Sequence, residues 1–249
     1  MSTERDRCLL TGAWRRATCF DYVSRAFIVT HNGKRRIVFN LKHLNAYHTK
    51  KACKFGSLSS LRRTLAADDW MWSIDLSDAY HHVGVHEDDQ KYFTFAIETG
   101  EGVEYFSTPA LNFGWCNSPQ VFTEVLKPVV AYLRNPSVAD GALRRRQQSQ
   151  PHAPATSTRA PHVLPWLDDF FFSLTGTEEQ ALTSRDASFE TLEMLGITRN
   201  VSKGQPKPSQ LMHDHLGYGI DSQSMRFLLT DKREKKPSLS SATQRGTAA

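Results

Sequence analysis

The chain lacks the features that mark several classes of protein. Its 249 residues include four scattered cysteines with no Cys-x-x-Cys spacing, which excludes a disulfide-stapled module and predicts free thiols in a reducing compartment. No stretch approaches the roughly 20 apolar residues that a membrane-spanning helix requires. The N terminus also has no apolar signal core. These absences predict an intracellular protein, cytoplasmic or nuclear, that has no membrane partner.

Two neighbouring blocks of the sequence each contain few charged residues of one sign, the first few acidic residues and the second few basic residues. Residues 1–63 contain three acidic and 14 basic residues, whereas residues 64–133 contain two basic and 11 acidic residues. The net charge of +5 therefore conceals a basic block beside an acidic one. A basic block suits an anionic polymer and an acidic block suits cations. An unevenly charged, solvated surface is the alternative that charge alone leaves open.

Large apolar side chains are almost absent from residues 135–162 and from the tail, residues 231–249. Both segments are rich in small and polar residues. Such a composition buries too little apolar surface to offset the loss of conformational entropy on ordering. We predict that both segments are disordered, the first as an insertion and the second as a tail.

The remaining residues predict short strands followed by helices. An Asn-Gly turn between apolar runs predicts a hairpin in residues 26–45, and strand-like runs begin at Trp70 and Tyr92. An apolar stripe at helical spacing predicts a helix over residues 118–134. Its first residue, Ser118, is the expected N-cap.

A second helix is predicted by the residues that follow Thr177. The sequence Thr-Glu-Glu-Gln forms a capping box, and the helix is expected to end near Gly196. In the first helix, Pro119 suits the opening turn and Pro128 should cause a kink.

Three pairs of adjacent aspartates occur in the chain. Asp68–Asp69 and Asp88–Asp89 have polar neighbours, which predicts turn or surface positions. Asp168–Asp169 instead lies between two apolar runs, which predicts a hairpin with both carboxylates at its bend. Burying an unpaired carboxylate costs several kcal/mol, so this pair requires either an exposed turn or a cation.

Asp75 ends another apolar strand in the acidic block. Together with Asp168 and Asp169 it supplies three carboxylates able to hold a pair of Mg²⁺ ions, or Mn²⁺ in their place, because such ions prefer oxygen ligands. Two such ions serve phosphodiesterases, phosphatases and nucleotidyl transferases alike, so spacing leaves all three open. A zinc-binding module that uses His213, His215 and cysteines lacks tetrahedral ligand spacing.

The order of these segments resembles the reverse transcriptase domain of retroelements, most closely that of the DIRS-type tyrosine-recombinase retrotransposons. The resemblance covers about residues 25–230, interrupted by residues 135–162. It rests on five segments: KRRIVFNLKHLN, IDLSDAYHHVGVHEDDQKYFTF, NFGWCNSPQVFTEVLKPVVAYLR, WLDDF and LGITRNVSKGQPKPSQLMHDHLGYGID. It implies an α+β fold, a right-hand polymerase palm with partial fingers, in which an antiparallel sheet packs on helices and the thumb is absent.

The resemblance also implies roles for individual residues. Asp75, Asp168 and Asp169 would be the catalytic metal ligands. Contacts with the incoming nucleotide are implied for a further set: Lys34, Arg36, Asp78, Tyr80, Phe113, Gly114 and Lys203. The primer end would be positioned by Leu216, Gly217 and Tyr218.

Within the nucleotide set, Tyr80 would exclude a ribose 2′-hydroxyl and Lys203 would support the departing pyrophosphate. Alternative interpretations stay open for several members. Tyr80 suits a buried core position, Asp78 suits a helix cap, and a solvated hairpin end suits Lys34 and Arg36.

The implied function is RNA-directed DNA polymerisation, in which two metal ions assist transfer of deoxynucleoside triphosphates (dNTPs) onto a primer 3′-hydroxyl. The implied partners are dNTPs, a primed RNA or DNA template, and the thumb, ribonuclease H and recombinase regions of a parent polyprotein. The alternative is a catalytically inactive relic that only binds nucleic acid.

The resemblance also implies domain boundaries. They are an N-terminal extension (1–24), a fingers portion (25–66), a first palm part (67–134), the insertion (135–162), a second palm part with the catalytic hairpin (163–230) and the tail (231–249).

Three residues depart from the family pattern. Trp166 replaces the usual tyrosine before the paired aspartates, and Asn112 stands where a proline is usual. Pro165 lies inside the strand that leads to the carboxylates. Proline donates no ladder hydrogen bond, so we predict that this strand is an edge or is distorted.

Overall fold

The computed structural model describes residues 2–31, 34–100, 102–135 and 160–230. Nearly all of the segments predicted to be disordered, and the Asn-Gly turn at residues 32–33, lie outside these ranges. The described helices are α1 (Ser2–Leu10), α2 (Lys42–Ala46), α3 (Leu58–Thr64), α4 (Ser118–Leu133) and α5 (Glu178–Met194), with 3₁₀ turns at Ala79–His82 and Glu87–Phe93.

Eleven strands are present in the described ranges. They are β1 (Arg15–Arg16), β2 (Val23–His31), β3 (Lys34–Asn40), β4 (Trp70–Asp75), β5 (Thr94–Thr99), β6 (Gly102–Ser107), β7 (His162–Trp166), β8 (Asp169–Leu174), β9 (Leu211–His215), β10 (Tyr218–Asp221) and β11 (Arg226–Leu229). The predicted α+β fold class is confirmed.

The chain forms two compact units. The first unit comprises Met1–Phe55, Leu76–Ala131 and Glu193–Thr198, and the second comprises Gly56–Asp75, Tyr132–Leu192 and Arg199–Ala249. Because the chain crosses between the units several times, neither unit is a continuous segment. The assignment of fingers and palm boundaries stays a prediction.

The first unit is built on a five-stranded sheet with strand order β1-β6-β5-β2-β3. The pairing is antiparallel except between β2 and β5, which run parallel. Beneath the sheet, Trp14 contacts Phe95 at 4.8 Å and Phe106 at 5.8 Å between ring centroids. Cys8 of α1 joins the same buried cluster. The predicted N-terminal extension therefore contributes core side chains to this unit.

The second unit contains two three-stranded antiparallel sheets, with strand orders β4-β8-β7 and β11-β10-β9. In the central strand β8 the side chains on both faces are buried, including three consecutive phenylalanines, Phe170, Phe171 and Phe172. This explains why the apolar run shows no alternation. The strand that contains Pro165, β7, is at the edge of its sheet, as its proline predicts.

Helix α4 begins at Ser118 and contains Pro128, as predicted. The capping role expected of Ser118 is wrong, because Ser118 is already the first residue of the helix. The carbonyl of the preceding residue, Asn117, accepts from the Val121 N–H at 3.0 Å, and the buried Ser118 hydroxyl donates to the carbonyl of Asn112 at 2.7 Å. The capping box of α5 is confirmed. The Thr177 hydroxyl accepts from the Gln180 N–H, and the Gln180 side chain accepts from the Thr177 N–H.

The surface position predicted for Asp69 is also wrong. Asp69 is fully buried, and its carboxylate accepts hydrogen bonds from the Thr175 hydroxyl at 2.6 Å and the Ala66 N–H at 2.9 Å. Both oxygens are therefore paired, which allows a buried carboxylate to be tolerated. Asp68, by contrast, is exposed with a φ of 62°, as expected for a turn. No helix in the described ranges has both the length and the apolar character needed to span a membrane.

Candidate active site

The hairpin predicted around Asp168 and Asp169 is present in the second unit. Strands β7 and β8 pair antiparallel, with Trp166 opposite Asp169, so Leu167 and Asp168 form a two-residue turn. Leu167 has a φ of 56°, a left-handed conformation that is rare and strained for a non-glycine residue. The tight turn places Asp168 at the bend and Asp169 at the first position of β8.

Strand β4 brings Asp75 to the same end of this sheet. The antiparallel ladder between β4 and β8 runs from Trp70 opposite Leu174 to Asp75 opposite Asp169. Directly opposed residues in such a ladder lie on the same face with their Cβ atoms about 4.5–5.5 Å apart. The sheet therefore brings Asp75 together with two carboxylates that lie more than 90 positions further along the sequence.

The acidic cluster Asp75–Asp168–Asp169 is electrostatically unfavourable in itself. Burial, together with repulsion from Asp75 and Asp168, raises the pKa of Asp169 to about 7. The pKa of Asp168 is also raised, mainly by burial and further by Asp75. Both shifts disfavour the charged form, so a nearby cation would relieve the strain of gathering these groups.

One cation of the chain already meets the cluster. Lys203 Nζ lies 3.1 Å and 3.2 Å from the two carboxylate oxygens of Asp75. The lysine side chain is 54% exposed, whereas that of Asp75 is 15% exposed. Lys203 therefore neutralises one of the three carboxylates from the solvent side.

The turn that carries Lys203 is held against strand β4. The Gln205 N–H donates to the Ser73 hydroxyl at 2.8 Å and the Ser73 N–H donates to the Gln205 carbonyl at 2.9 Å. Gly204, the residue between Lys203 and Gln205, has a φ of +74°. A Cβ atom added there would lie 2.9 Å from the Ser73 carbonyl oxygen. Only glycine suits both the conformation and this close approach.

We expect Gly204→Ala to lower the free energy of unfolding by about 2 kcal/mol or more, since it adds a backbone clash to left-handed strain. Gly196→Ala is the matched control, because Gly196 has a φ of +70° with open space around its Cβ position, and should lose only about 1 kcal/mol. Urea unfolding measures both. Equal losses would show that the turn does not press on β4.

His215, which sequence reasoning did not place at the site, lies beside Asp169. Its Nδ1 is 3.7 Å from Asp169 Oδ1, and its ring centroid is 5.2 Å from that of Phe171. Burial lowers the pKa of His215 to about 4, so at neutral pH the two residues form no ion pair. Nδ1 has no hydrogen-bond partner within the described residues.

The predicted primer hairpin is formed by β9 and β10 in the same unit. Leu216 and Gly217 make its two-residue turn with φ values of 53° and 82°, the type I′ geometry favoured in hairpins. Leu216 and Tyr218, with Trp166 of the β7–β8 hairpin, line a cavity of about 260 Å³. The structure thus places the two predicted hairpins side by side.

The predicted nucleotide residues of the first unit are only partly brought together. The Tyr80 and Phe113 ring centroids are 4.6 Å apart, with Tyr80 buried and Phe113 62% exposed. Gly114 has a φ of 110°, and a Cβ there would lie 3.0 Å from the Phe39 carbonyl oxygen. Asp78 precedes the 3₁₀ turn without a capping hydrogen bond, so its alternative interpretation as a helix cap is wrong.

Lys34 and Arg36 belong to strand β3, opposite His31 and Val29 of β2. Their side chains lie outside the described part of the structure, and their nucleotide contacts stay a prediction.

A family model described as "Reverse transcriptase (RNA-dependent DNA polymerase)" matches residues 22–228. The chain belongs to the reverse transcriptase family. Members of this family are RNA-directed DNA polymerases, which are nucleotidyltransferases. The match contains every residue of the acidic cluster and both hairpins. It does not distinguish the DIRS-type elements from other reverse transcriptases.

Solved structures show the same fold. A foamy viral protease–reverse transcriptase in complex with double-stranded DNA, in the form named dRH, is 20% identical with a TM-score of 0.68, covering 98% of this chain and 36% of that chain. A second structure of the foamy viral protease–reverse transcriptase with double-stranded DNA is 19% identical, with a TM-score of 0.66 and coverage of 100% and 43%. This reverse transcriptase chain therefore spans less than half the length of those proteins. No curated protein matches it.

Proposed function

We propose that the chain is the polymerising domain of a retrotransposon reverse transcriptase, which adds dNTPs to a primer 3′-hydroxyl under the direction of an RNA or DNA template. The observation that carries the proposal is the register that sets Asp75 opposite Asp169, with Asp168 at the adjoining turn. A gathering of carboxylates on a buried sheet is unfavourable unless it serves a cation.

We propose that the acidic cluster Asp75–Asp168–Asp169 holds two Mg²⁺ ions, which Mn²⁺ can replace. The donor chemistry fits, because carboxylate oxygens are the ligands that Mg²⁺ prefers, and the raised pKa values of Asp168 and Asp169 are what a bound cation would relieve. Within the described residues no three Asp, Glu, His or Cys side chains form a ready metal-ligating group.

When bound, such ions activate the attacking hydroxyl and neutralise charge on the phosphates. The chain itself supplies the remaining charge through Lys203. Its exposed ammonium group bonds both carboxylate oxygens of Asp75, and it can exchange this carboxylate for the departing pyrophosphate. A cation already positioned where negative charge develops stabilises the transition state.

For the other residues we propose the roles that the family resemblance implies. The ring contact between Tyr80 and Phe113 supports a shared part in binding the nucleotide, which Asp78, Gly114, Lys34 and Arg36 would extend. The two-residue turn of the β9–β10 hairpin supports primer positioning by Leu216, Gly217 and Tyr218.

The wider assignment is also a proposal. The chain spans 36% and 43% of the two foamy viral chains, which leaves room in a longer polyprotein for thumb, ribonuclease H and recombinase regions. The five segments that carry the family resemblance favour a DIRS-type parent element.

The direct test is extension of a labelled DNA primer on an RNA template with Mg²⁺ and dNTPs. The proposal expects added nucleotides that follow the template, and extension should stop where the complementary dNTP is omitted. Untemplated addition, or no addition at any divalent cation concentration, would contradict it.

The alternative, an inactive relic that binds nucleic acid, is favoured by one observation. Lys203 Nζ contacts both carboxylate oxygens of Asp75, so this carboxylate is neutralised without a metal ion. The same assay separates the two functions. Salt-sensitive RNA binding without primer extension would identify the relic.

A further inference from the structure

A second concave region lies in the first unit, apart from the residues assigned to polymerisation. This cavity, which we name the Trp115 cavity, has a volume of about 680 Å³, within the range typical of pockets for small molecules. Its floor is apolar and buried, formed by Leu44, Phe93 and Leu111. None of the predicted catalytic or nucleotide-binding residues lines it.

The rim of the Trp115 cavity combines aromatic rings with carboxylates. Tyr47, which is 88% exposed, stands there with His48 and Trp115, whose ring centroids are 5.6 Å apart at 82°. The acidic residues on the lining are Asp21 and Asp89. Ring faces and carboxylates both attract organic cations, whereas carboxylates repel phosphates.

Lys91, a cation of the protein itself, already contacts both an aromatic ring and a carboxylate of this cavity. Lys91 Nζ lies 5.1 Å from the centre of the Tyr92 ring and 2.7 Å from Asp21 Oδ2, and both of those residues line the cavity. The carboxylate of Asp89 has no ion-pair or hydrogen-bond partner among the described residues. A second cation can therefore be bound at Asp89 without displacing Lys91.

We propose that the Trp115 cavity binds a peptide segment of a protein partner, which inserts an arginine or lysine side chain between the aromatic rim and Asp89. The volume exceeds that of a single guanidinium group, and the apolar floor accommodates a neighbouring aliphatic side chain. A nucleic-acid strand fits less well, because Asp21 and Asp89 face its phosphates.

The test is isothermal titration of the full chain with two capped tripeptides, Leu-Arg-Leu and Leu-citrulline-Leu, which differ in charge and hardly in shape. The arginine peptide should bind at least about tenfold more tightly than the citrulline peptide. Equal affinities, or no binding of either peptide up to about 10 mM, would overturn the proposal.

Two variants, Asp89→Asn and Tyr47→Ala, test where the peptide binds, and Asp88→Asn is their control. Asp89→Asn should weaken the arginine peptide about fivefold or more, and Asp88→Asn should change its affinity less than about twofold. Asp88 is the matched control because it is the preceding exposed residue of the same 3₁₀ turn and does not line the cavity. Tyr47→Ala, at a highly exposed position, should also weaken binding without loss of fold. Equal effects of the two aspartate variants, or a Tyr47-dependent site for an oligonucleotide, would refute a cationic peptide site.

Discussion

Asp168→Asn is expected to reduce templated primer extension about 10³-fold or more, because it removes a full negative charge from a cluster proposed to hold both metal ions. Asp168 lies at the bend of the β7–β8 hairpin rather than inside the sheet, so the substitution should leave the fold intact. Primer extension under single-turnover conditions measures the rate, and the thermal unfolding midpoint reports the fold.

Asp68→Asn is the matched control for this variant. It removes the same charge in the same unit, at an exposed turn whose φ of 62° asparagine tolerates well. Its extension rate should stay within about twofold of the parent, as is usual for surface substitutions. If both variants extend primers as the parent does, Asp168 is not catalytic.

The second large effect concerns stability. At pH 8 without divalent cations, the Asp169→Asn variant is expected to be more stable than the parent, with a free energy of unfolding about 2–4 kcal/mol larger. Asparagine has nearly the shape of the protonated aspartic acid and carries no charge. It therefore removes the repulsion from Asp75 and Asp168 and the desolvation of a buried carboxylate.

The sign of the pH dependence follows from the raised pKa of Asp169. The folded-state value is about 7, against a model value of 3.8. Between these values the folded protein holds a proton that the unfolded chain has released, so the parent loses stability as the pH rises through this window. The advantage of Asp169→Asn should be small near pH 4, grow with pH and level off above about pH 7.

Urea unfolding at a series of pH values measures this difference. Added Mg²⁺ should reverse it, because a cation that binds only the folded parent stabilises it by mass action. A parent that is the more stable protein at pH 8 without divalent cations would contradict the account of the acidic cluster.

The parts of the site that could be predicted from sequence are those with a local signal. Two carboxylates between apolar runs indicate a hairpin, since charged residues inside a buried strand would be too costly. Pro165 indicated the edge strand, and Thr177 with Gln180 indicated the start of α5. Asp75, at the end of another apolar strand, was expected to join this hairpin, and the β4–β8 ladder places it directly opposite Asp169.

The parts that were missed depend on contacts between distant positions. His215 lies beside Asp169 because β9 packs near the sheet formed by β4, β8 and β7. The residues that neighbour His215 in sequence do not indicate a buried, neutral imidazole. Asp69 has polar neighbours in sequence, yet Ala66 and Thr175 supply both of its hydrogen bonds in the interior. Ser118 stands at the start of a helix, but its hydroxyl bonds the buried Asn112 carbonyl instead.

The convergence of the three carboxylates on shared cations is tested most directly by titrating Mn²⁺ into the parent and into single Asp→Asn variants, with water proton relaxation as the readout. Substitution of Asp75, Asp168 or Asp169 should each weaken Mn²⁺ binding about tenfold or more, since each removes a ligand and a charge, while Asp68→Asn should bind as the parent does. If Asp75→Asn leaves the affinity unchanged while Asp168→Asn lowers it, the three residues do not form one cation site and the account is contradicted.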